Sequence, residues 1–100
     1  MAADLVYEDE QLMAFPDINP QAPVHLLIIP KRHIESLADI QVDHGGLLAS
    51  ILLTAKALAK KYDLTDGYRV VANTGNAGGQ TVPHLHFHLL GGRDLGWPPG

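Results

Sequence analysis

The 100-residue sequence contains no cysteine, which excludes disulfides, thiolate metal sites and thiol nucleophiles. Charge is sparse at 18%, and the seven Lys and Arg residues are outnumbered by eleven Asp and Glu, for a formal charge of −4. A polyphosphate backbone is ordinarily gripped by a basic face, so nucleic acid is not an expected partner. One small anion remains compatible with this balance, because a few backbone N–H groups and local side chains hold it without net positive charge. No apolar run approaches the roughly 18 residues needed to span a bilayer, and Met1–Glu10 is acidic with no basic segment. The expectation is a cytoplasmic protein without a membrane partner. Repeats, low-complexity tracts and linkers are also missing.

What is present is 46% apolar residues, enough for one core and one domain, and six histidines. A chain this short buries only a little over 60% of its extended surface when it folds alone. A homodimer is therefore plausible from size. With no thiol available, histidine is the main candidate for chemistry near neutral pH.

Turn signals divide the chain. Leu5–Glu8 and Leu12–Phe15 read as a hairpin across Asp9-Glu10-Gln11, and residues 16–23 as a proline-broken loop. Val24–Ile29 is a β-prone run stopped by Pro30, with His25, Leu27 and Ile29 on one face. From Asp43 to Tyr62 the period becomes helical, through Leu47, Leu48, Ile51, Leu52, Ala55, Leu58, Ala59 and Tyr62. Asp43 is the expected N-cap, and Lys60 and Lys61 suit the helix C-terminus. Ile34–Ile40 has room for a second short helix. Tyr68–Ala72 and Val82–Leu90 read as strands flanking a polar, glycine-rich loop at 73–80. Strands, a helix and further strands joined by short turns predict an α+β domain: an antiparallel sheet of about five strands with one long helix.

The segment Thr81–Leu90 alternates three imidazoles with apolar residues. In a strand, His84, His86 and His88 form a row on one side, while Leu85, Phe87 and Leu89 face the core. For a lone histidine the ordinary reading is a solvent-facing polar residue; three in register are harder to treat so. A metal site is one alternative. Residues four apart on a strand are separated by roughly 13 Å, so at most two of the row would chelate one ion about 2 Å from each ligand, with His25 a possible third. A neutral imidazole is also a good nucleophile towards phosphorus, and the phosphoramidate it forms is labile to water. His86, flanked on both sides, is the natural attacking group. Gly75, Gly78 and Gly79 would let backbone N–H groups approach a phosphate, with Gln80 and Thr81 adding side-chain donors. The same glycines also suit an ordinary turn. No Gly-x-Gly-x-x-Gly or Walker pattern is present.

The run Gly78–Arg93, together with Phe15–His25, Ile29–Ile34 and Tyr68–Asn73, resembles the signature of the histidine triad nucleotide-binding proteins. Trp97-Pro98-Pro99-Gly100 resembles the phosphoramidase branch of that family. The resemblance implies a homodimer whose sheet continues across the subunit axis. It also implies metal-independent, cofactor-free hydrolysis of purine nucleoside 5′-phosphoramidates to a monophosphate and an amine. By resemblance His86 is the nucleophile, His84 and His88 are the flanking triad members, and His25 is the fourth histidine contacting the nucleophile. Asp17 matches the ribose-binding acid, Phe15 and Ile18 the base pocket, and Asn73, Gly79 and Thr81 the phosphate contacts, while Trp97 reaches the partner's pocket. Thr81 replaces a frequent serine, placing a methyl beside the leaving amine, and Pro83 removes a backbone donor just before the triad. By the same resemblance, an N-terminal element seen in relatives is expected to be lacking here. Hydrolysis of dinucleoside polyphosphates and nucleotide binding without turnover are the alternative functions. His33 and His44 read as structural or surface residues.

Overall fold

Apolar alternation with a two-residue period assembles an antiparallel sheet in the computed structural model, which describes residues 4–100. Its strands are β1 (Tyr7–Glu8), β2 (Leu12–Pro16), β3 (Val24–Pro30), β4 (Tyr68–Val71) and β5 (Phe87–Gly91). Their spatial order is β1-β2-β3-β5-β4, so the last strand inserts beside β3. A single long helix, α1 (Gly45–Lys61), joins the two halves. This is the α+β class, strand number and helix expected.

Register decides which face meets the helix. Ala14, Ile28 and Phe87 lie side by side across β2, β3 and β5, as do Leu26, Leu89 and Val70 across β3, β5 and β4. Against them α1 buries Leu47, Ile51, Ala55, Leu58 and Ala59 in one core. Non-directional removal of apolar area from water is the main term favouring this arrangement. On the opposite face, Phe15, Leu27, His88 and Val71 align across four strands, and His25 aligns with Leu90 and Arg69. The face away from the helix carries the histidines.

Several boundaries differ from expectation. The helix does not begin on an Asp43 cap; a 3₁₀ turn at Val42–His44 leads into Gly45, and the buried His44 accepts the Gln41 N–H at Nδ1 (2.9 Å). His44 is structural, as expected. The possible second helix is only a 3₁₀ turn, Leu37–Asp39, where Ser36 Oγ accepts the Ala38 N–H. At the other end of α1, Asp63 adopts φ 60°, with Asp63 N–H donating to Lys60 O and Leu64 N–H to Ala59 O. This left-handed stop satisfies carbonyls that the helix leaves open. The continuous helical stretch Val42–Lys61 has mean hydropathy 1.2 and is long and apolar enough to cross a membrane. Packing on β3 and β5 accounts for the buried stripe through Leu47, Ile51, Ala55, Leu58 and Ala59, while Val42, Leu52 and Leu53 remain exposed.

The largest correction is at β5, which starts at Phe87 rather than Val82. Pro83 has no N–H to enter a ladder. The segment before β5 instead bonds elsewhere: Leu85 N–H donates to Ile34 O (2.7 Å) and His84 N–H to Val82 O (2.8 Å). Leu85, Phe87 and Leu89 are nevertheless buried, as their alternation predicts.

Candidate active site

Only His88 of the three triad histidines lies in a strand; His84 and His86 occupy the irregular run entering β5. The expected single row of imidazoles is therefore not what forms. The His84 ring turns towards the end of β3, where Nε2 donates to Pro30 O (2.9 Å) and Nδ1 meets His33 Nδ1 (3.2 Å). It reaches His86 through its backbone, because His86 Nδ1 lies 2.7 Å from His84 O. His33 thus belongs to the cluster's surroundings and is more than a surface residue. Its sequence separation from His84 is why no local pattern revealed it.

Backbone partners settle the imidazole tautomers. A carbonyl only accepts, so His86 must carry its proton on Nδ1, leaving the Nε2 lone pair free. His25, buried on β3, receives the Gln21 N–H at Nδ1 (3.0 Å), so in neutral His25 the proton sits on Nε2. That Nε2–H donates to His88 Nδ1 at 2.9 Å and lies 3.5 Å from Asp17 Oδ2. Neutral His88 consequently holds its own proton on Nε2, a donor for an anion beside His86. The His86 and His88 rings meet edge-on, with centroids 5.1 Å apart. The arrangement pairs a lone-pair nitrogen with a neighbouring N–H donor.

Burial holds His88 below the ordinary histidine pKa of 6.5; His86 and His25 push the same way, and Asp17 opposes them. In the unfolded chain His88 binds its proton more tightly, so this group makes stability rise with pH in a window just below 6.5. We expect the His88 ring resonances to titrate below 6.5 by NMR, and lower still in Asp17→Asn. A midpoint at or above 6.5 would contradict this account.

The glycine loop is built differently from the cradle expected. Within residues 75–80, Gly78 N–H donates to Gly75 O, Gly79 N–H to Asn76 O and Gln80 N–H to Gly75 O. Gly75 N–H donates to Gln80 Oε1. These four N–H groups are spent inside the turn and are not offered to phosphate. The glycines serve the turn itself: a Cβ on Gly78 would lie 2.3 Å from Thr74 O. The Gln80 amide is likewise committed, donating to Glu35 O and Val82 O, so it fastens the loop and is not a free phosphate donor. Asn73 stands at the start of the loop, with its side chain close to Gly79. Thr81 is exposed at the other end of the loop.

Asp17 caps its own loop, accepting the Asn19 N–H at Oδ1 (2.9 Å) and presenting Oδ2 to the histidines. Phe15 is half-buried on the histidine face, whereas Ile18 is fully exposed and not enclosed with it. Trp97 is 83% exposed, on a tail whose carbonyls at Leu95 and Gly96 accept from Arg69.

Asp17, His25 and His88 offer donor atoms within 4.8 Å of one another, the arrangement to test for a metal. The chemistry does not fit. The required His25 Nε2 carries a proton, and its Nδ1 receives a backbone N–H, whereas a metal-bound histidine donates its second N–H outward. The 2.9 Å between the two nitrogens suits a shared proton and is shorter than the roughly 3.3 Å between ligands on tetrahedral zinc.

An imidazole cluster on the open face of a five-stranded antiparallel sheet is the class of site defined here. The HIT domain pattern matches residues 1–95, and the chain belongs to that family. It is 54% identical over 98 residues to a 14 kDa zinc-binding protein of Zea mays, covering 96% of this chain and 77% of that protein. A HIT family hydrolase from Legionella pneumophila has a TM-score of 0.98 and 53% identity, with 100% of this chain and 90% of that one covered. A histidine triad nucleotide-binding protein from Candida albicans has a TM-score of 0.80 and 35% identity, over 98% and 76% of the two chains.

Proposed function

We propose that this protein is a metal-independent purine nucleoside phosphoramidase, hydrolysing the P–N bond of substrates such as adenosine 5′-phosphoramidate. The observation that carries the reading is the His86 Nδ1–H bond to the His84 carbonyl, which frees Nε2 for attack. In the first step the Nε2 lone pair forms a bond to phosphorus as the P–N bond breaks, and the leaving amine takes up a proton. In the second, water attacks phosphorus and gives a proton back to the group that protonated the amine, the P–Nε2 bond breaks, and the nucleoside monophosphate leaves with His86 restored. Two displacements replace one difficult substitution. The His84 carbonyl stabilises the imidazolium-like ring of the intermediate, and His88 Nε2–H donates to the phosphate oxygens as they gain charge. His25, His88 and Thr81 are the groups available to move the proton to the amine.

Asp17 accepts from the ribose hydroxyls, Phe15 and Ile18 contact the base, and Asn73 and Thr81 contact the phosphate; Gly79 contributes through the shape of its turn. The protein acts as a cytoplasmic homodimer in which Trp97 reaches the partner's site. Its fully exposed Ile18 and largely exposed Trp97 support this reading, since both lack apolar cover within one chain. The Legionella and Candida relatives, by their names a hydrolase and a nucleotide-binding protein, agree with nucleotidyl transfer to water. The maize relative is by its name a zinc-binding protein; the reading proposed here leaves Asp17, His25 and His88 to proton placement and not to a metal.

The reading is tested by presenting adenosine 5′-phosphoramidate and a diadenosine polyphosphate side by side, with and without a chelator. Amine release that is faster than polyphosphate cleavage and indifferent to the chelator is expected. Preference for the polyphosphate would replace this function with its P–O–P counterpart. Stoichiometric nucleotide binding with neither reaction would make the protein a binding module, and loss of activity in chelator would overturn metal independence.

A further inference from the structure

Arg93 has no part in the mechanism above, yet a short run of bonds joins it to the histidines. Beyond β5 the chain turns at Gly92 with φ 92°, a conformation that favours glycine, and a Cβ there would lie 3.0 Å from Pro23 Cβ. This close approach brings Arg93 against the loop between β2 and β3. Its guanidinium donates twice to one carbonyl, from Nε (3.1 Å) and Nη2 (3.0 Å) to Gln21 O, while Nη1 donates to Asp94 O (2.8 Å). The N–H of that same Gln21 is the group that donates to His25 Nδ1.

Two charge-assisted bonds from a planar fork restrain a carbonyl in direction as well as distance. The clamped carbonyl lies in the Gln21–Ala22 peptide and the N–H in the Pro20–Gln21 peptide, so the restraint reaches the N–H through the shared Gln21 Cα, narrowing the backbone rotations by which it could turn from His25. Other ties of this loop are local: Asp17 N–H to His25 O, Asn19 N–H to Asp17 Oδ1, and Gln21 Nε2 to Asn19 O. Residues 17–23 contain no helix or strand, so nothing in regular structure sets the Gln21 orientation. Released from that N–H, His25 would be free to carry its proton on either nitrogen, and His88 Nδ1 would lose its donor for part of the time.

We infer that Arg93 is a positioning residue: by clamping the Gln21 carbonyl it holds His25, and through it His88, in the single tautomer the site uses. A guanidinium that merely closes the end of β5 would affect stability and leave the tautomers alone. The effect on turnover rests on the proposed phosphoramidase activity; the tautomer itself is observable without any substrate.

The test records imidazole ¹⁵N shifts of the ligand-free protein at about pH 8, above the ordinary histidine range. The parent is expected to show His25 and His88 protonated on Nε2. In Arg93→Met both residues should show averaged shifts from mixed tautomers, and kcat for the phosphoramidate should fall about tenfold with KM within about twofold. Arg93→Lys, which keeps the charge without the fork, should lie between them, and it carries the test if Arg93→Met does not fold. Parental shifts in a folded variant, or a loss of kcat with unchanged shifts, would overturn the role of Arg93. Altered shifts in a protein that never releases amine would sustain that role and reject the phosphoramidase.

Discussion

His86→Ala is expected to lower phosphoramidate turnover by about 10⁴-fold, since on the proposed mechanism it removes the atom that bonds to phosphorus and leaves only binding and charge stabilisation. The expected loss is in kcat, because on the proposed reading Asp17, Phe15 and His88 would still hold the nucleotide. His88→Ala should cost less, about 10²-fold, because it removes a donor to developing charge and leaves the nucleophile in place. Structure should survive in both. The His86 ring makes one side-chain hydrogen bond, to a neighbouring carbonyl, and is not part of the core beneath α1. Steady-state kinetics beside thermal unfolding separates the two effects. Near-parental turnover in folded His86→Ala would remove the residue from the chemistry.

The second large effect is on stability. Leu89 is fully buried in β5, between Leu26 of β3 and Val70 of β4, beneath α1. Shortening it to alanine removes apolar area from the middle of the sheet and leaves a cavity that the two flanking strands and the helix cannot fully close. A cost of about 2–5 kcal/mol is expected. For a domain of this size each kcal/mol corresponds to about 4–8 °C, so the melting temperature should fall by at least about 8 °C. The side chain points away from the histidines, so activity in the cold should persist while the folded fraction does. A melting temperature within a few degrees of the parent would show that this position is not the centre of the core.

How much of this was legible depended on the range over which each interaction acts. The alternation at Val24–Ile29 and at Leu85, Phe87 and Leu89 is a local consequence of strand pleating, and both patterns face as expected. The start of β5 was not legible. It depends on Ile34 capturing the Leu85 N–H, a contact across 51 residues that no short window contains. His84 illustrates the same limit: its spacing suggested a row, but its ring pairs with His33 and the Pro30 carbonyl. The glycines of residues 75–79 signalled a turn and an anion site equally well, and only the internal bonding decides between them. Family resemblance set His25 against the nucleophile, His86, whereas His25 Nε2 hydrogen-bonds to His88. The device that sets its tautomer, a backbone N–H of Gln21, leaves no mark in residue identity.

The central claim is that Nε2 of His86 is transiently bonded to phosphorus. Its most direct test is intact and peptide mass spectrometry of an acid-averse, rapidly quenched turnover of adenosine 5′-phosphoramidate, using a variant slowed in the hydrolytic step. The account predicts one adenylyl group per chain, on the peptide containing His86 and assigned to that residue. An adduct on any other side chain, or turnover that proceeds with none formed, would contradict it.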